Sequence, residues 1–170
     1  MAKYLTRFGM AVIREKIAAL ESKRAESLRS AGEAAQNDPN AYHDNFEYEE
    51  SMRQQEMFSR QIRTLWEILQ GASTAPQPAD NQRVAIGHYV VVQEGSGRGG
   101  QPAPQGYLLC GDGEGALFEH ACSVSSPLGQ TLLGMSADET RTVPLGERSF
   151  SIKVMEIRTA TPADFQAAVL

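Results

Sequence analysis

Proline is nearly missing from the first part of this chain. Pro39 stands alone ahead of Pro76, and seven of the eight prolines follow residue 71. A stretch so poor in the residue that breaks helices is free to run as long helices. Cysteine is scarce as well. Cys110 and Cys122 are too few for a disulfide framework and lack metal-ligand spacing, so they read as buried free thiols in a reducing cytoplasm. No apolar run approaches the roughly 20 residues of a membrane span. "FGMAVI" is too short for a signal-peptide core, and Arg14 and Lys16 follow it. Positive charge is not in excess. The net charge of −5 gives no electrostatic footing for gripping a nucleic acid duplex. No nucleophile motif and no ligand cluster marks a stand-alone hydrolase. The Gly/Pro-rich stretch from Gly95 to Gly106 lacks the Gly-Lys-Ser/Thr of a phosphate loop and reads as a flexible strand connection.

What is present falls into two halves. The break is "GASTAPQPADN", Gly71 to Asn81, a composition typical of linkers. Before it, apolar and small residues recur at steps of three and four. Met10, Ile13, Ile17, Leu20, Arg24, Leu28 and Ala31 make one seam. Tyr48, Ser51, Gln55, Phe58, Ile62, Leu65 and Leu69 make another. One antiparallel register pairs Met10 with Leu69, Ile17 with Ile62, Arg24 with Gln55 and Ala31 with Tyr48. The pattern predicts a helical hairpin over residues 1–71, turning near Pro39 and Asn40, with packing that thins toward the turn. A dimerising coiled coil has the same period.

After the break the period changes to two. Strands are expected over 83–94, 106–110, 141–146 and 148–158. "SPLGQTLLGM" reads as a short helix with Ser126 as N-cap, Pro127 in the first turn and Gly134 at the exit. The fold class is α+β: a helical hairpin, a linker at 72–81, and a small antiparallel β domain with one helix at 82–158.

The turn between the helices is acidic. "DNFEYEESMRQQ" places Asp44, Glu47, Glu49 and Glu50 at the start of the second arm. Asp44 and Glu47 have capping-box spacing, and Glu49 and Glu50 suit a helix N-terminus electrostatically. Taken by themselves these positions favour capping, a role that can coexist with another because a capping carboxylate keeps free lone pairs. Tyr48 fits the seam, His43 reads as solvated, and His88 and His120 read as structural.

Two motifs, taken in order around such a hairpin, resemble the bacterial GreA/GreB family of transcript cleavage factors. "DNFEYEESMRQQ" is similar to the family's hairpin-tip motif. "SSPLGQTLLGMSADET" is similar to its second landmark, and "FSIKVMEI" falls where its last strand falls. The resemblance runs to about Ile157, leaving 159–170 as an additional tail. It implies a coiled-coil finger and a globular domain similar to FK506-binding protein. It also implies RNA polymerase as partner, with the RNA 3′ end met only inside that complex; the self-contained hairpin predicts a monomer, and the lack of a long apolar run predicts no membrane contact. By the resemblance the β domain docks at the secondary channel through Ser126, Pro127, Leu132, Leu133, Gly134, Met135, Asp138 and Glu139. The tip enters the channel, where Asp44, helped by Asp38 and Glu47, would assist the polymerase's own metal-dependent cleavage of backtracked RNA. Asp44 would share a Mg²⁺ of the polymerase, and the factor needs no cofactor of its own.

The family usually carries two tip acids three residues apart. Asp44 matches the second, but Ala41 stands at the first, and Asp38 lies three residues earlier beside the stiffening Pro39. Weak or absent cleavage stimulation is therefore the expectation, and a channel binder that modulates the polymerase without cleavage stays open beside it.

Overall fold

A computed structural model describes residues 3–37, 46–95, 102–146 and 148–165, except for the side chains of 34–37 and 47. The described chain forms two compact units. One joins the N-terminal residues through Met10 to the chain from Gly71 onward, and the other runs from Ala11 to Gln70.

The second unit holds the two helices α1 (Arg7–Asn37, whose first turn belongs to the other unit) and α2 (Phe46–Leu69). At 1.5 Å per residue they are about 46 and 36 Å long. Ile13, Ile17, Ala31 and Ile62 are buried, and Tyr48, Ser51, Gln55, Phe58, Leu65 and Leu69 are half-buried along α2. The expected seam of α2 is therefore the observed one. The seam of α1 needs a correction. Leu28 is 60% exposed, whereas Ser27 is 9% exposed and its hydroxyl donates to the Ser51 carbonyl at 3.2 Å. Strict alternation of three and four from Ile17 through Leu20 and Arg24 lands on Ser27. Apolarity favours Leu28, whereas the phase of the helix favours Ser27. Arg24, a seam residue by phase, is exposed. Long helices of this length need little else: Arg53 bridges Glu49 and Glu50 along α2, and Arg60 bridges Glu56, all on exposed positions that contribute little.

The other unit is built on a five-stranded sheet. Its strands are β3 (His88–Glu94), β4 (Gln105–Cys110), β5 (Ala121–Ser123), β6 (Thr140–Leu145) and β7 (Arg148–Thr159). The spatial order is β5-β4-β3-β7-β6. The pairs β3–β4, β3–β7 and β6–β7 are antiparallel, with a bulge between Val91 and Val92, and β4–β5 is parallel. The sheet is thus mixed rather than purely antiparallel. Strand β5 has three residues, too few to show an alternation. One face packs on helix α3 (Pro127–Leu132) in a core of Val90, Val92, Leu109, Leu132, Ile152 and Val154, among others. The expected strand start at Arg83 is also revised. Residues 83–87 turn away before β3, and Val84 instead exchanges backbone hydrogen bonds with Gly134 and Met135 at 2.8 Å each.

Within the stretch read as a linker, β2 (Ala72–Thr74) pairs in parallel with β1 (Lys3–Leu5). The Ala75 amide extends the pair by donating to the Leu5 carbonyl at 2.7 Å. Past β7 the chain makes one 3-10 turn, Pro162–Phe165, within the stretch read as a tail.

Candidate functional site

Asp38, Ala41, His43 and Asp44 lie outside the described residues, and Glu47 is placed only as a residue in the first turn of α2. Its neighbours are placed. Glu49 and Glu50 hold Arg53 at 3.3 and 3.8 Å, so that arginine is engaged by its own helix. Tyr48 is half-buried, as a seam residue should be.

The second landmark is described in full. Ser126 caps α3: its hydroxyl accepts from the Gly129 amide at 3.0 Å and donates to the Ser123 carbonyl at 2.7 Å. Pro127 follows in the first turn, exposed. Gly134 leaves the helix at φ 78°, a left-handed conformation that suits glycine. The apolar residues then separate. Leu132 and Met135 are fully buried in the core, and Leu133 between them is 45% exposed. A partner contact made by Leu132 or Met135 is therefore corrected: they hold α3 to the sheet, and Leu133 is the one that reaches outward. Beyond them Asp138 sits at φ 64° with its carboxylate 2.8 Å from the Lys153 ammonium. Glu139 accepts from the Ser136 amide at 2.8 Å and the Arg141 guanidinium at 2.7 Å. The Ser136 amide, then Arg141, hold its carboxyl below the usual carboxylate range. Exposed Leu133 and Asp138, with half-buried Glu139, form one turn fixed by the core beneath it.

A buried carboxylate that sequence reading passed over lies elsewhere in this unit. Thr6 precedes α1, and its hydroxyl accepts from the Gly9 amide at 2.9 Å, an N-cap bond. A capping box would put an acid at Gly9, but the first turn of α1 has no acid. Glu114 supplies one from the β4–β5 connection. Its oxygens accept from the Thr6 amide at 3.1 and 3.0 Å, the Thr6 hydroxyl at 2.5 Å and the Gly111 amide at 2.5 Å. A Cβ on Gly9 would come within 1.5 Å of Glu114 Oε1, so only glycine leaves room. Burial pushes the Glu114 carboxyl up, and the donors of Thr6 and Gly111 pull it partly back. The visible signal was a Thr cap with no partner three residues on; nothing local named Glu114 as that partner.

His88, Cys110 and Cys122 lie in the interior of this unit. His88 is buried, its Nδ1 accepting from the Ala85 amide at 3.0 Å, and burial lowers its pKa. Cys110 and Cys122 are free and buried, and burial raises both thiols. Among the described residues no group of three or more His, Cys, Asp or Glu could hold a metal ion. A groove bounded by Phe8, Pro76, Pro78, Ile86 and Phe165 also takes in the polar residues Thr6, Arg7, Gln77 and Thr159, and among the described residues lining it there is no acid, histidine or cysteine.

Residues 79–159 match the family described as Transcription elongation factor, GreA/GreB, C-term. The chain carries the C-terminal region of the GreA/GreB family. It is 28% identical over 156 residues to transcription elongation factor GreA 1 of Lactiplantibacillus plantarum, covering 92% of this chain and 96% of that protein. It is 27% identical over 136 residues to GreA of Streptococcus sanguinis, covering 79% and 78%. Among solved structures, GreA factor homolog 1 (Gfh1) of Thermus thermophilus aligns at 16% identity and a TM-score of 0.41, covering 93% of this chain and 99% of that one. The matched family and the two GreA relatives are described as transcription elongation factors. No helix among the described residues is long and apolar enough to cross a membrane.

Proposed function

We propose that this chain binds RNA polymerase at the secondary channel, acts in the cytoplasm as a monomer, and delivers the tip between α1 and α2 to the active site. The observation that carries the reading is the match of residues 79–159, preceded by two helices, with "DNFEYEE" leading into the start of α2. Docking is assigned to the turn after α3. Leu133 offers the apolar contact and Asp138 and Glu139 the charge. Loops set on a rigid scaffold are where such contacts usually sit.

At the tip, Asp44 is the carboxylate that would ligate a loosely held Mg²⁺ of the polymerase. Such a hard cation takes oxygen ligands and keeps waters in its remaining positions. Ala41 supplies no second acid to orient the attacking water. Losing one catalytic helper of this kind costs about 10²-fold or more. Modulation of the polymerase with weak or no cleavage stimulation is therefore the favoured reading, and strong stimulation the second.

The test is RNA release from a backtracked polymerase with and without the full chain. Weak release is expected, lost in Asp44→Asn and raised in Ala41→Asp, with polymerase binding unchanged in both. Asparagine still caps a helix, so the first change removes charge alone. Strong wild-type release that Asp44→Asn leaves intact would sink the assignment. Loss of release in Asp38→Asn would move the second acid to Asp38. Leu133→Asp should weaken polymerase binding in the full chain without altering its melting temperature.

A further inference from the structure

The matched family region ends at Thr159, and the chain next builds a feature outside it. Arg158, near the end of β7, grips Asp164 with both guanidinium nitrogens, Nη1 to Oδ2 at 2.7 Å and Nη2 to Oδ1 at 2.6 Å. The same guanidinium lies over the Tyr89 ring, 4.2 Å from its centroid. Asp164 also accepts from the Thr161 amide at 2.7 Å and the Thr161 hydroxyl at 2.8 Å, closing the 3-10 turn. That turn delivers Phe165. Its ring stacks on Phe8 in the first turn of α1, with centroids 4.4 Å apart, and meets Phe118 edge-on at 5.2 Å.

We propose that Ala160–Phe165 is a strap that clamps the first turn of α1 to the globular unit, with Asp164 as its latch. The first turn is held on two sides. Glu114 takes its polar groups, and Phe165 covers Phe8. Only Glu114 lies within the matched region. The strap contributes nothing to the core between the sheet and α3, which contains no residue from 160 to 165. It can therefore open while the sheet stays folded. Asp164 touches no residue of α1 in the contacts above. Its influence on Phe8 passes through the 3-10 turn, because the forked arginine pair fixes where Phe165 points. This holds whatever the hairpin tip does.

The Gly9 and Met10 amides report the state of the turn, since each bonds back to Thr6, at 2.9 and 3.0 Å. The experiment is native-state hydrogen exchange on the full chain, comparing wild type, Asp164→Ala, Phe165→Ala and the double variant. Each single variant is expected to speed exchange at Gly9 and Met10 by about tenfold, as loss of a stacked aromatic contact and its buried area should. Exchange at Val90 and Val92 should be unchanged. The double variant should be no faster than Phe165→Ala alone, because both changes open one device. An effect of Phe165→Ala without one from Asp164→Ala would remove the latch. No change in either variant would remove the strap. Acceleration in β3 as well would make the segment ordinary support for the sheet, and would equally overturn the proposal.

Discussion

The two units solve burial in different ways. In the helical pair, Ile13, Ile17, Ser27, Ala31 and Ile62 are the described positions that are buried from Ala11 to Gln70, spread along arms of about 40 Å. In the sheet unit, Leu108, Leu109, Cys110, Leu132, Met135, Ile152 and Val154 are each at 0% exposure. A helix pair gives a partner one stripe per arm. A sheet packed on a helix encloses side chains from several directions. The helical unit therefore tolerates change on most of its surface, and the sheet unit tolerates little in its core.

The largest test of this contrast compares neighbours on α3. Leu132→Ala should cost about 2–5 kcal/mol, as truncating a buried leucine does. Leu133→Ala should stay within about 0.5 kcal/mol, as surface changes do. Chemical denaturation of the two variants measures both. Equal losses would mean that the turn after α3 is not a fixed platform.

Next is the root of α1. Thr6→Val removes the N-cap hydroxyl and a donor to buried Glu114, and should cost about 2 kcal/mol in thermal melts. A fragment beginning at residue 72 removes β1 and Thr6 together and leaves the Glu114 carboxylate short of partners. It should melt well below the full chain, so polymerase docking is better tested with Leu133 variants than with that fragment. A fragment as stable as the whole would dissolve the grouping of residues 1–10 with the sheet.

A smaller effect sharpens the seam. Ser27→Ala deletes the hydrogen bond to the Ser51 carbonyl and should cost about 1 kcal/mol. Leu28→Ala should cost less than about 0.5 kcal/mol. The reverse ranking, followed by circular dichroism at 222 nm, would restore Leu28 to the seam.

The smallest concerns pH. The Arg158 pair, then the Thr161 donors, hold the Asp164 carboxyl well below the usual carboxylate range. A depressed folded pKa means the contribution is complete above the unfolded value, about 3.9, and fades as pH falls below it toward the folded value. Glu114 shifts the opposite way, so its protonation comes first on acidification. The aromatic near-ultraviolet signal of Phe8 and Phe165 should therefore change below about pH 4 in wild type. Asp164→Asn should lack that step. Persistence of the step in the variant would assign it elsewhere.

Much of this was legible in order along the chain. Seam positions of α2, the strands β3, β4, β6 and β7, the Ser126 cap and the Gly134 exit each rest on a local period or a local capping rule. Such signals need only neighbouring residues. The sequence also determined the family resemblance, through motifs that are themselves local, and it alone supplies Asp44 and Ala41. The tertiary structure decided the rest. It chose Ser27 over Leu28, because helical phase outranks apolarity when two long helices must stay in contact. It turned Leu132 and Met135 inward and Leu133 outward, a distinction invisible in three apolar side chains within four residues. It paired β1 with β2 and brought Glu114 to Thr6 across 108 positions of sequence. Three-residue strands have no readable period. A single glutamate carries no mark of the distant helix end it will cap, because the unsatisfied amides that select it exist only once the chain has folded.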